Sequence, residues 1–372
     1  MIYFDNAATT LLCDSAKEIL LQDYGNPSSP HAFGLASERA IKKAAKKLAT
    51  PLLCEPSEII FTSGGTESNN LGILGTAFSL KAGQNKNRSV HILATNQEHP
   101  SVIEPLEYLK TLPGYSVTYA APSEWEAYIR ENTSMVCITQ VSSDTGDMFN
   151  ISKIYEELIS KKLPNAIVFV DGAQGFCKAK TPNCADIYTF SGHKIHGPMG
   201  VGGLIVKKGL RLVPMMYGGG QQRQIRPGTE NVSGILAMAD SAVKHYNMIQ
   251  QNHESVKKIK DILTTLVDEI PDTYINQTTE CASSYILNMS FANVKGETLA
   301  NMLSELGLYV SIGTACRTTK KESPLALMGF SRERANSAVR LSFSAMNTEK
   351  EALEAKEIII NCVKNIRKMR KI

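Results

Sequence analysis

An α/β chain, with a large mostly parallel sheet and a smaller α+β domain, is the architecture this sequence predicts. Three observations predict it. Short apolar runs at Ile59-Ile60-Phe61, Val90 to Ala94, Met135 to Val141, Ala166 to Val170, Ile187 to Phe190 and Leu204 to Val206 read as buried strands. Helical spacing intervenes, as where Ile151, Ile154, Tyr155, Leu158 and Ile159 share one face, and such alternation implies a parallel sheet covered by helices. The pattern then changes near residue 250, which divides the chain into a larger domain over 12–250 and a smaller one of 1–11 with 251–372.

Taken in order, strand Ile59 to Thr62 turns through Gly64-Gly65-Thr66 into a helix with Leu71, Leu74 and Phe78 on its apolar face. After residue 250 come a long helix, then YILNMSF, ETLANMLSELG, LYVSI and AVRLSFS, then a final helix. Thr348 and Glu351 open that last helix at capping-box spacing.

At 372 residues, 43% apolar and 20% charged, the chain has the composition of an ordinary globular protein of about two domains. No run of about 18 apolar residues is present, so a membrane span is not expected. MIYFDNAATT has neither a signal-peptide nor a transit pattern, which makes the expected location cytoplasmic. A net charge of +4 is too small to imply direct nucleic-acid binding. The terminal cluster Lys364, Arg367, Lys368, Arg370 and Lys371 reads as cations facing a helix dipole, with docking of an acidic partner as the alternative. Eight cysteines without any CxxC argue against a structural zinc site or a disulfide framework.

Chemistry concentrates in four stretches. In FSGHKIHGPMG, Lys194 stands among small and polar residues. A loop lysine is ordinarily just solvated, but Ser191 and His193 can donate to a phosphate, nearby glycines let amides approach an anion, and an amine there can form a Schiff base with an aldehyde. In AIVFVDGAQGF, Asp171 ends an apolar run at the place where open α/β sheets bind ligands. It can be a helix cap, or the carboxylate that pyridoxal phosphate needs beside its ring nitrogen, with Gln174 on the ring oxygen. The Gly64-Gly65-Thr66 turn offers helix N-terminal amides to a phosphate and lacks the GK[ST] of a Walker loop. His99, in QEHPS, reads either as a cap or core residue or as a ring that stacks on pyridoxal and moves protons.

Together these stretches resemble the class V pyridoxal-phosphate enzymes, and within them the cysteine desulfurases of the NifS/IscS type. The likeness runs nearly end to end through YFDNAATT, YGNPSSPHAFG, FTSGGTESNN, QEHPS, VDGAQ, SGHKIHGPMG, GGGQQRQIRPGTEN, GTAC and VRLSFS. It implies an aminotransferase-like fold, pyridoxal 5'-phosphate as cofactor, L-cysteine as substrate, and sulfur passed through an enzyme persulfide to an acceptor protein such as an iron–sulfur scaffold or a thiolation protein. By the same resemblance Lys194 is the Schiff-base lysine and Asp171 the pyridinium partner. Gly65, Thr66, Ser191 and His193 hold the phosphate, Gln174 contacts the ring oxygen and His99 stacks. Thr229 reaches the phosphate of a neighbouring subunit, so a homodimer is implied. Arg340 pairs with the substrate carboxylate, and Asn6 lies near the same substrate. Cys316, among Arg317, Lys320 and Lys321 on a small polar loop of the smaller domain, is the thiol that attacks the substrate sulfur; such charge favours thiolate.

Two departures stand out. Ser142-Ser143-Asp144 replaces the family's Asn-Asn-Glu, and Ser143 is too short to replace an asparagine without a water. Arg317 follows Cys316 where a small hydroxyl residue is usual, and the loop beyond is slightly shortened. Three alternatives stay open: a selenocysteine lyase, an aminotransferase, or a weakly catalytic sulfur-handling binding protein on the same fold.

Overall fold

The structure, a computed structural model, describes residues 1–82, 89–312 and 323–369. They form two compact units, one of 11–140 with 149–247 and the other of 1–10, 141–148 and the described residues from 248 on.

The first unit is built on seven strands, ordered Ile59–Thr62, Gly202–Val206, Ile187–Ser191, Ile167–Asp171, Thr133–Thr139, Val90–Ala94 and Tyr115–Tyr119. Four inner strands are buried along their length and Ile167–Asp171 from its second residue on, as continuous apolar runs require when both faces are covered. Successive side chains divide between two apolar layers. Val168 and Val170 pack with Ile41, Leu48, Ile235 and Met238 on one side, while Phe169 packs with Leu71, Ile73, Val102 and Leu106 on the other. Each such side chain, fully buried, stabilises by about 1.5–3 kcal/mol. Helices Ala32–Leu52 and Val232–Asn247 cover the first side, and Gly65–Ala82 and Pro100–Lys110 the second.

The pairing is parallel except around Gly202–Val206, which is antiparallel to both neighbours. Residues 192–201, between it and the preceding strand, are too few for the crossover of a dozen or more residues that a parallel return needs. Glycine is required where this strand begins, since a Cβ at Gly202 would lie 2.6 Å from the Phe190 carbonyl oxygen and 2.7 Å from the Gly64 Cα. Edge strand Tyr115–Tyr119 is half-buried and alternates Tyr115, Val117 and Tyr119, which pack on the core, with Ser116 and Thr118, a strand period that the continuous apolar runs do not include. The expected helical face over 151–159 is present, with a π turn at Tyr155–Ile159.

The second unit carries an antiparallel sheet ordered Ala338–Ser342, Ile286–Phe291, Thr273–Ile275, and a parallel pair of Ile2–Tyr3 with Leu308–Tyr309. Ile259, Leu299, Leu341 and Val363 belong to its core, drawing helices Ile249–Thr264, Gly296–Glu305 and Glu349–Met369 onto the sheet. The Thr348 amide donates to Glu351 Oε2 at 2.8 Å and the Glu351 amide to Thr348 Oγ1 at 3.2 Å, closing both halves of the capping box. Residues 141–148, within the 12–250 span of the sequence reading, group with this unit. Their Asp147 carboxylate accepts from the amides and hydroxyls of Thr278 and Thr279. No helix among the described residues is long and apolar enough to cross a membrane.

Candidate active site

Several chemistry-bearing residues of the first unit gather where its parallel strands end. Asp171 is the last residue of strand Ile167–Asp171 and is 5% exposed. Its Oδ1 accepts from the Ala173 amide at 2.9 Å and its Oδ2 from Asn69 Nδ2 at 2.9 Å, so the carboxylate is held by donors rather than by a cation. Gln174 is buried on the turn that follows. The adjacent strand, Ile187–Ser191, runs into a single 3₁₀ turn, Gly192–Lys194, which leaves Lys194 half-buried. Desolvation, and the Lys194 cation next, push Lys178 down to about 7. Desolvation and the same two lysines push His193 down to about 4, so its ring is neutral near pH 7. The second histidine of this stretch has a framework role: His196 Nδ1 bonds the Leu11 carbonyl at 2.7 Å and its ring stacks on His245.

A phosphate cradle is legible in the geometry. Gly64 has φ +149°, which favours glycine, and it turns strand Ile59–Thr62 into the 18-residue helix Gly65–Ala82. A Cβ built at Gly64 or Gly65 meets nothing closer than 3.9 Å, and the atoms it faces are Ser191 Oγ, Ser191 Cβ and Ala173 Cβ. Ser191 Oγ is itself buried without a hydrogen-bond partner. An orphan hydroxyl, free helix amides and room beside two glycines fit a phosphate. Thr66, in the first helical turn, is exposed. Pyridoxal phosphate matches these features: Ser191, Gly65, Thr66 and His193 would hold its phosphate, Asp171 its ring nitrogen and Lys194 its aldehyde.

His99 is exposed and caps helix Pro100–Lys110 through its ring, Nδ1 accepting from the Ser101 amide at 3.1 Å and lying 2.7 Å from Ser101 Oγ. The capping role weighed from the sequence is thus real, and it leaves the ring at the carboxyl edge of the sheet. Glu98 beside it is buried and raised to about 8, first by desolvation, with the Asp171 charge adding to the rise and bonds from Thr95 and the Thr139 amide opposing it. Burial thus favours the protonated form of Glu98. Thr229 is exposed.

In the second unit Arg340 is 9% exposed, with NH1 donating to the Ser143 carbonyl at 2.9 Å and NH2 to Asp5 Oδ1 at 3.1 Å. Its Nε is buried and without a partner. Ser143 thus contributes its main chain here, where the sequence drew attention to its side chain. Asn6 is 2% exposed, and its amide nitrogen serves the framework through Tyr3 O, Ser342 O and Asn347 Oδ1. Cys316, Arg317, Lys320 and Lys321 lie outside the described residues. Burial holds five other thiols in the protonated form: Cys54 is pushed up to about 12, and Cys137, Cys177, Cys184 and Cys362 are also raised. Among the described residues no group of three or more His, Cys, Asp or Glu could hold a metal.

Sequence reading missed Asn69, Ser101, Thr189, Glu98 and Asp5. Asn69 had a signal: it lies one turn beyond Thr66, where the helix from the glycine turn enters the core, and a buried polar residue there needs partners.

The architecture is that of the pyridoxal-phosphate-dependent enzymes. More closely, a family model for Aminotransferase class-V matches residues 2–354, and the chain belongs to that family. Cysteine desulfurase IscS of Shewanella pealeana is 35% identical, over 99% of this chain and 94% of its own length. Cysteine desulfurase IscS of Methanosarcina thermophila is 33% identical, over 99% and 93%. A solved NifS-like protein superposes with a TM-score of 0.89 at 31% identity, covering 98% of this chain and 99% of its own.

Proposed function

We propose that this chain is a pyridoxal-phosphate-dependent cysteine desulfurase that converts L-cysteine to L-alanine and passes the sulfur, through a persulfide on Cys316, to an acceptor protein. The acceptor serves iron–sulfur cluster assembly or tRNA thiolation. The working form is a cytoplasmic homodimer in which Thr229 reaches the partner's cofactor phosphate. The observation that supports this most is the placement of Asp171 and of the Ser191–Lys194 turn at the ends of adjacent parallel strands, with the cradle of Gly64, Gly65 and Ser191 beside them.

When bound, the cofactor supplies an electron sink for the substrate α-carbon. Asp171, its carboxylate fixed by two donors, would face the ring nitrogen. Lys194 would hold the aldehyde and its amine would handle the α-proton, with His99 as a second proton-handling group. Arg340 binds the substrate carboxylate with the planar fork that Asp5 and Ser143 orient. The Cys316 thiolate attacks the substrate sulfur: an S–S bond forms as the C–S bond breaks, its electron pair stays with the three-carbon fragment, and a proton completes alanine.

Purified protein supplied with the vitamer is expected to be yellow, to lose that colour with borohydride, and to release alanine and sulfide from cysteine plus a reductant. Cys316→Ala should keep the colour and lose desulfuration. Full-rate desulfuration by that variant would refute the role of the thiol.

A further inference from the structure

We propose that Asn69 and Ser101 are positioning residues that hold His99 in the tautomer protonated at Nε2, so that the neutral ring presents an N–H donor at that nitrogen. Asn69 is 1% exposed and Ser101 is 8% exposed, and each faces only partners that this chain supplies.

The Asn69 amide lies among three of these partners. Its Nδ2 is 2.9 Å from Asp171 Oδ2 and 2.8 Å from Ser101 Oγ, while its Oδ1 is 2.6 Å from Thr189 Oγ1. Turning the amide over would set its oxygen against the Asp171 carboxylate, two acceptors in contact, so the carboxylate fixes which way Asn69 points. Both hydrogens of Nδ2 are then spent, one on Asp171 and one on the Ser101 hydroxyl.

That hydroxyl, accepting from Asn69, has a single hydrogen left to give. His99 Nδ1 is 2.7 Å away and receives it, and the Ser101 amide donates to the same nitrogen at 3.1 Å. Two donors converge on Nδ1, so it carries a lone pair and no hydrogen. The proton of the neutral ring sits on Nε2. A chain of bonds thus runs from Asp171 through Asn69 and Ser101 to His99, and the ring presents a donor at its far nitrogen. The tautomer stands on these bonds alone, and only its use in catalysis rests on the function proposed above.

The test is a long-range ¹H–¹⁵N spectrum of the full-length protein, labelled at histidine and loaded with pyridoxal phosphate, with His99 assigned by its loss in His99→Gln. Wild type should show Nδ1 at the unprotonated position and Nε2 at the protonated one. Ser101→Ala should move the Nδ1 signal toward the protonated position, and Ser101→Thr should restore it. A wild-type spectrum with the proton on Nδ1, or a Ser101→Ala spectrum identical to wild type, overturns the proposal. The wild-type spectrum decides by itself should the variant fail to fold. No substrate is present, so the result is independent of alanine release, which reports on desulfuration.

Discussion

The lysine pocket of the first unit and the arginine clamp of the second are built by opposite means. Around Asp171 the network comes from the neighbouring strand and two helices that flank the same sheet, and Asn69, Thr189 and Ser101 satisfy one another. Around the Arg340 guanidinium the partners come from two stretches distant in sequence, with a main-chain carbonyl, one carboxylate, and an Nε left over. The first arrangement fixes atoms before any ligand arrives. The second keeps a charged donor in reserve, which suits the carboxylate binding proposed for Arg340.

The largest effect that would break this contrast comes from Lys194→Ala. With the tether and proton-carrier roles proposed for Lys194, its removal should lower turnover by about 10³-fold or more, measured as alanine release. Asp171→Ala comes next, because it strips Asn69 Nδ2 of an acceptor in a buried site. Besides losing activity, it should destabilise the protein by about 1–3 kcal/mol in urea unfolding. An unchanged midpoint would mean the network is not pre-set.

Arg340→Ala should act differently. Loss of charge-assisted bonds worth about 1.5–3 kcal/mol lowers kcat/KM for cysteine by roughly ten- to a hundredfold while the cofactor absorption of the substrate-free protein stays as in wild type. A spectral change there would contradict the view that the clamp and the pocket are separate constructions.

The same comparison sharpens further through pH. Glu98 is raised from 4.5 to about 8, so the folded chain keeps a proton that the unfolded chain releases. Its contribution to stability is therefore whole below about 4.5 and is lost as pH climbs to about 8. Glu98→Gln should flatten that slope in unfolding curves taken across the window. A slope that persists assigns it to another group. Least of all, Thr348→Ala removes a cap from the second unit and should cost about 1 kcal/mol, read as a lower unfolding midpoint with unaltered colour.

What the sequence disclosed follows the same division. Apolar runs located six of the seven strands of the large sheet, because strands buried on both faces leave an unmistakable composition. Half-buried Tyr115–Tyr119 was missed because its signal is an alternation of Tyr115, Val117 and Tyr119 with Ser116 and Thr118, not a continuous run. Lys194, Asp171, Ser191 and His99 were legible because each ends or follows such a run. The grouping of 141–148 with the second unit was not, since Asp147 finds Thr278 and Thr279 about 130 residues downstream. Asp5 escaped for the same reason: its partner Arg340 is 335 residues away.

One measurement bears most directly on the proposed chemistry: mass spectrometry of the Cys316 peptide after the loaded protein meets L-cysteine briefly without reductant. The expected result is a single added sulfur on Cys316, accompanied by alanine. Alanine formed while Cys316 stays unmodified, or sulfur carried by a different cysteine, would contradict it.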